Sequence, residues 1–211
     1  MNKTLVNDFN KIVTGRRSIR KYDPTVKISR TEMKEILEKA TLAPSSLNMQ
    51  PWRFVVIDTE EGKEKLASLA PGNLTQVQTS AAVIAVFVDM KNEEYIETIF
   101  DTAVEKGYMP VDVRNRQVTG IKGYMENMTF EQKKAMNLID AGLVSMQLML
   151  VARAYGYDTN PIGGYDKENI AETFGIDKER YYPVMLISIG KAAEEGHKSV
   201  RLPVDTITEW K

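Results

Sequence analysis

Ala82-Val83-Ile84-Ala85-Val86-Phe87-Val88 is an unbroken apolar run, rich in β-branched side chains and bounded by polar segments, which is the pattern of a buried strand. Phe54-Val55-Val56-Ile57 and the stretch from Val184 to Ile189 read the same way. Helical patterns surround them. Leu5, Phe9, Ile12 and Val13 follow amphipathic spacing, and Gly15 is placed to end that helix. Ser29 and Glu32 predict a capping box ahead of the apolar face Met33, Ile36, Leu37 and Ala40, which runs up to Pro44. From Ala135 to Tyr155 the chain is apolar almost all round, which predicts a helix in the core or at a dimer interface. Asp140, Gln147 and Arg153 keep its uncharged run well under the roughly 20 residues that span a bilayer. A short helix is predicted over 167–174, with Asp166 as N-cap and Gly175 at its end. Residues 91–130 are polar, helical and punctuated by Gly107, Pro110, Gly120 and Gly123, so two exposed and mobile helices are expected there as an insertion. The strands do not alternate with helices as regular βαβ units, and one α+β domain over residues 1–211 is the prediction.

Composition removes several kinds of chemistry. With 28 Lys and Arg against 29 Asp and Glu, no global basic field favours nucleic acid or an anionic membrane. The absence of Cys excludes disulfides, thiolate nucleophiles and sulfur-based metal sites. The single histidine, His197, sits in the charged run Glu194-Glu195-Gly196-His197-Lys198 and reads as a surface residue, so no metal site is expected. An enzyme with this inventory is expected to borrow its chemistry from a cofactor. Met1-Asn2-Lys3-Thr4-Leu5 lacks the apolar core and cleavage site of a signal peptide, and a cytoplasmic location is expected. Neither G-x-G-x-x-G nor G-x-x-x-x-G-K-[ST] occurs, which favours a ligand with one phosphate over a dinucleotide or a nucleoside triphosphate.

Local clusters are more specific. Arg16-Arg17-Ser18-Ile19-Arg20 places three guanidinium groups and a hydroxyl within five residues. Arginine forks match phosphate oxygens two at a time, so the cluster suits a small phosphate ester, although alone it also fits a solvated face. Between Pro44 and Pro51, the residues Ser45, Ser46, Asn48 and Gln50 supply two hydroxyls and two carboxamides without formal charge. Such a set suits a ribityl chain or the edge of a heterocycle, or simply a shaped loop. In Asn160-Pro161-Ile162-Gly163-Gly164-Tyr165 the paired glycines let backbone N–H groups approach a flat ligand, or form a turn. Lys198 and Arg201 add a distant basic pair that suits the same anion.

Taken together, the stretches Arg16 to Tyr22, Pro44 to Trp52, Asn160 to Asp166 and Arg201-Leu202-Pro203 resemble, in order and spacing, the FMN-dependent nitroreductase family. The likeness covers essentially the whole chain and is greatest for a group of its NAD(P)H nitroreductases. It implies a nitroreductase-like fold, with a central, mostly antiparallel sheet flanked by helices, in an intertwined homodimer. It further implies that Arg16 and Arg201, with Lys198 nearby, clamp the FMN phosphate, while Ser18 supports it and Arg17 lines the same turn. Arg20 would be the cation at the pyrimidine edge of the flavin, where hydride arrival at N5 builds negative charge. Ser45, Ser46 and Asn48, with Pro44 and Gln50 in the same loop, would contact the flavin bound to the partner subunit. Asn73 and Gln76 would reach the pyrimidine ring, and Pro161, Ile162, Gly163 and Gly164 would form a strip beside the flavin. Many relatives carry Lys where Gln76 stands and an acidic residue where Gly163 stands. No catalytic side chain is implied, because Arg20 and Gly163 would only tune the flavin. The implied activity is ping-pong electron transfer from NADH or NADPH to nitroaromatic or quinone-like acceptors. A dehalogenase, an enone reductase or a non-catalytic flavin-binding protein would use the same residues.

Overall fold

The computed structural model describes residues 7–211, so Leu5 and the chain start inspected for a signal peptide lie outside the described residues. Strand β1 (Trp52–Ile57), β2 (Ala82–Asp89), β3 (Asp158–Ile162) and β4 (Tyr181–Gly190) form one sheet in the order β1-β2-β4-β3. Every adjacent pair is antiparallel. Strand β2 therefore has partners on both sides, and its alternate side chains feed two separate cores. Ala82, Ile84, Val86 and Val88 pack with Met33 and Ile36 of α2 (Arg30–Ala40) and with Val144 and Leu148 of α7 (Phe130–Ala154). Val83, Ala85 and Phe87 pack with Leu66 of α3 (Glu60–Leu69), Val77 of α4 (Leu74–Thr79) and Ile170 of α8 (Ile170–Thr173). Covering both faces explains why β2 carries no polar alternation. Each such buried aliphatic contributes about 1.5–3 kcal/mol, so a charge at Ile84 would break the sheet.

Helix α7 opens on a reciprocal capping box, with the Gln132 N–H donating to Thr129 Oγ1 at 3.2 Å and the Thr129 N–H donating to Gln132 Oε1 at 2.8 Å. It is long and apolar enough to cross a membrane by length and composition, yet one face is packed inside the protein. Ala141, Val144, Leu148 and Ala152 are buried, whereas Ile139, Leu143 and Met146 form an exposed apolar stripe. That stripe is why the helix reads as apolar all round. Residues 91–130 contain α5 (Ile96–Glu105) and α6 (Val111–Glu126), and these helices bury a small core of their own around Phe100, Ile121 and Met49.

Several expectations need correction. Strand β3 is not among the elements predicted above, and it takes in Asn160 to Ile162, ahead of the glycine pair. A proline lacks the ladder donor and is tolerated because β3 is the last strand of the sheet. Helices α3 and α4 were not anticipated. Helix α8 is shorter than 167–174, since Asp166 Oδ1 accepts the Glu168 and Asn169 N–H groups at 3.0 and 3.1 Å and holds a turn before it. At α2, Ser29 caps the Glu32 N–H at 3.1 Å, while the Glu32 carboxylate accepts from the Tyr157 hydroxyl at 2.8 Å.

Candidate functional site

Helix α1 (Phe9–Gly15) ends where the arginine cluster begins, and the cluster is stitched to the sheet edge. The Ile19 N–H donates to Thr159 O at 3.2 Å, the Asp23 N–H to Lys191 O at 2.8 Å, and the Ala193 N–H to Lys21 O at 3.0 Å. Ile19 and Tyr22 turn inward and are buried, while Arg20 is exposed. The Tyr22 hydroxyl lies 2.9 Å from Ser188 Oγ, and its N–H donates to Thr79 Oγ1 at 3.1 Å. Burial pushes the Tyr22 phenol above its ordinary pKa, so it stays neutral and serves as an anchor. Gly196 lies at φ +71°, and a Cβ there would come within 2.9 Å of Arg17 Cβ, which makes glycine the residue that fits.

Against this anchored segment lies a cavity of about 650 Å³, within the size range of small-ligand sites. The arginine cluster contributes Ser18, Arg20 and Lys21 to its wall. The turn ahead of α4 contributes Gly72 and Asn73, the start of α4 contributes Thr75 and Gln76, and the end of β3 with the two glycines after it contributes Asn160 to Gly164. The Asn73 side chain donates to Gly164 O at 2.9 Å, and Gln76 Nε2 donates to Asn73 Oδ1 at 3.1 Å. These carboxamides tie α4 to the glycine pair. A side chain at position 163 would enter open space, so Gly163 leaves that part of the wall uncovered.

The structure thus brings together Ser18, Arg20, Asn73, Gln76, Pro161, Ile162, Gly163 and Gly164. It does not bring the other expected residues to the same wall. Arg17 NH1 donates to Thr14 O and Arg16 O, both at 2.8 Å, and closes the end of α1 instead. Arg16 and Lys198 do not line the cavity. Arg201 NH1 donates to Ser199 Oγ and Val200 O, both at 2.8 Å, within an exposed tail. That tail presents Val200, Leu202, Ile207 and Trp210 to solvent.

Pro44, Ser45, Ser46, Asn48 and Gln50 also lie off that cavity. Their loop has a specific shape, with Leu47, Asn48 and Gln50 at φ of 54°, 56° and 45°, a region that L side chains disfavour. The Ser46 N–H and Oγ–H both donate to Asp140 Oδ1, at 2.9 and 3.1 Å. Leu47 borders a depression of about 300 Å³ shared with Ile121 and Tyr124 of α6.

Lys21, Gly72, Thr75, Asn160 and Glu194 are wall residues that motif reasoning missed. Lys21, Thr75 and Asn160 adjoin recognised positions and were within reach. Glu194 carried no local signal, because it works through main-chain amides 173 and 174 positions away.

An antiparallel sheet between helical layers, with an arginine-serine segment at a cavity beside its last strand, defines the class of protein. Residues 13–191 match the Nitroreductase family, and the chain belongs to that family. YdgI of Bacillus subtilis (strain 168), provisionally named a NAD(P)H nitroreductase, is 67% identical over 205 residues, covering 97% of this chain and 98% of its own length. The CLA biosynthesis enone reductase of Lactiplantibacillus plantarum is 37% identical over 210 residues, with 99% and 97% covered. A protein of Exiguobacterium sibiricum 255-15, solved in complex with FMN and provisionally described as a nitroreductase, superposes with a TM-score of 0.97 at 64% identity, covering 100% of both chains.

Proposed function

We propose that the chain is an FMN-dependent NAD(P)H oxidoreductase whose acceptors are nitroaromatic or quinone-like compounds. The observation that carries this reading is the cavity wall itself. It combines cationic and hydroxyl donors at one segment, carboxamides at another and open backbone at Gly163 and Gly164. These residues fit FMN, because the guanidinium and hydroxyl donors suit its anionic and oxygen-rich parts, and the carboxamides suit a pyrimidine edge. When bound, FMN supplies the two-electron exchange between NADH or NADPH and the acceptor, in two separate half-reactions.

The remaining tasks fall to the chain. Ser18 meets the phosphate from the cavity wall, Arg16, Lys198 and Arg201, which lie off that wall in the single subunit, are assigned to the phosphate in the assembled homodimer, and Arg20 places a fixed positive charge where negative charge develops. Gln76 offers a neutral amide, held in place by its bond to Asn73 Oδ1. Gly163 and Gly164 bring backbone to the ring face. Pro44, Ser45, Ser46, Asn48 and Gln50 close the site of the partner subunit in a homodimer. Three observations support that assignment: the uncovered stripe Ile139, Leu143 and Met146, the exposed apolar tail, and the position of the loop away from its own subunit's cavity. The insertion of residues 91–130 is proposed as the mobile border of the acceptor slot, with Tyr124 and Leu47 at its edge. A cytoplasmic setting suits a chain without cysteine.

The likeness to an enone reductase supports a second acceptor class, since the flavin-holding residues would be the same. Steady-state turnover with NADH and NADPH against nitroarenes, quinones and enones decides between them. Turnover led by nitroarenes or quinones supports the first reading, and turnover confined to enones replaces it.

A further inference from the structure

Asp140 lies on the buried face of α7, 1% exposed, beneath the loop that the proposed function places against the partner's flavin. Its Oδ1 accepts both hydrogens that Ser46 can donate, from N at 2.9 Å and from Oγ at 3.1 Å. Its Oδ2 is buried without a hydrogen-bond partner among the described residues. A carboxylate held this way costs the fold desolvation that Ser46 offsets only in part, since burial raises the Asp140 pKa more than those bonds lower it. The group is thus not explained by stability.

The loop above it is under strain, with three positive φ values between Leu47 and Gln50. Arg53 NH1 donates to Gln50 O at 3.1 Å at the loop's end, and two further anchors hold its middle and start. Met49, 1% exposed, inserts into the small core of α5 and α6, and Ser46 is fixed by Asp140. The bonding also sets which hydroxyl can do what. A carboxylate only accepts, so the Ser46 hydroxyl hydrogen is consumed and Ser46 Oγ offers lone pairs. Ser45 is the reverse, because its Oγ already accepts the Gln50 N–H at 3.0 Å and keeps its hydrogen for a donor role.

We propose that Asp140 is a positioning residue that presents this loop to a ligand as an ordered pair, with Ser45 Oγ donating and Ser46 Oγ accepting. The ligand must therefore offer an acceptor and a donor at adjacent positions, as a flavin's imide edge or its ribityl hydroxyls do. This inference rests on the flavin reading, and the following experiment separates the two.

Amide hydrogen exchange is measured on FMN-free protein for wild type, Asp140→Ala, Asp140→Asn and Ser46→Ala, and FMN affinity is then measured for the same set and for the double variant that combines Asp140→Ala with Ser46→Ala. Loss of a charge-assisted pair of bonds predicts exchange over residues 46–50 at least about tenfold faster in Asp140→Ala, with the β2 and β4 amides unchanged. It also predicts FMN affinity weaker by about tenfold or more. Asp140→Asn retains Oδ1 as an acceptor and recovers most of both losses, which a general packing defect would not do. Adding Ser46→Ala to Asp140→Ala produces less than the product of the single effects on affinity. Unchanged loop exchange in Asp140→Ala, or an Asp140→Asn variant as impaired as Asp140→Ala, overturns the proposal. Faster loop exchange in a protein whose wild type binds no FMN upholds the positioning role and rejects the flavin reading instead.

Discussion

Glu194 Oε1 accepts the Arg20 N–H at 2.7 Å and the neighbouring Lys21 N–H at 3.3 Å, so a carboxylate from the chain that follows β4 fixes the backbone beneath the guanidinium assigned to the flavin. Glu194 also lines the same cavity. Its negative charge opposes the effect of Arg20. Glu194→Gln keeps an oxygen for the two amides and removes the charge, so the flavin midpoint potential rises, by about 10–30 mV given solvent screening. Potentiometric titration of the two proteins checks this, and a lowered potential would contradict it.

Arg16 and Arg20 stand four residues apart in the chain and are given different tasks. Arg16→Ala and Arg201→Ala each weaken FMN binding by about 10–100-fold, the worth of a charged hydrogen-bonding group. Arg20→Ala lowers the midpoint potential by about 30 mV or more while changing FMN affinity less than either. Fluorescence titration of FMN and potentiometry on all three variants read the separation.

Tyr22→Phe removes the hydroxyl that lies 2.9 Å from Ser188 Oγ in a fully buried pair. The Ser188 hydroxyl loses its best partner, at a cost of about 1–2 kcal/mol and a fall in Tm of about 2–8 °C. Differential scanning calorimetry measures it.

Two features of the fold separate what was legible from what was not. Strand β2 announced itself because helices cover both of its faces, leaving no polar alternation to confuse the pattern. Strand β3 did not, because Asn160-Pro161 has the composition of a turn, and only its place at the sheet edge makes a proline acceptable there. Helix α3 escaped notice since its inward residues include Lys63, whose Nζ donates to Ser80 O at 2.6 Å instead of meeting an apolar neighbour. At the site, Ser18, Arg20 and the glycine pair were readable as residue chemistry. Glu194 and Asp140 were not, since each works by accepting main-chain N–H groups from distant segments, which leaves no mark in the local sequence.

Asp140 also predicts a pH dependence. Burial raises its carboxyl above the ordinary 3.8, so the folded state binds that proton more tightly than the unfolded state. Its contribution to stability is fully present below pH 3.8 and is lost as the pH rises through the higher folded value. Asp140→Asn abolishes this term, so the stability difference between wild type and variant shifts in favour of wild type as the solution is acidified. Urea unfolding of both proteins at a series of pH values from neutral downward tests the sign.

The central claim is that this cavity holds an FMN that NADH or NADPH reduces. Purified protein is loaded with FMN, freed of excess, and titrated anaerobically with each nicotinamide while the visible flavin absorbance is followed. The account predicts bleaching at one equivalent of NADH or NADPH per bound FMN, and full return of the absorbance on adding a quinone or nitroarene. Tightly bound FMN that neither nicotinamide bleaches, or a protein that retains no FMN, would contradict it.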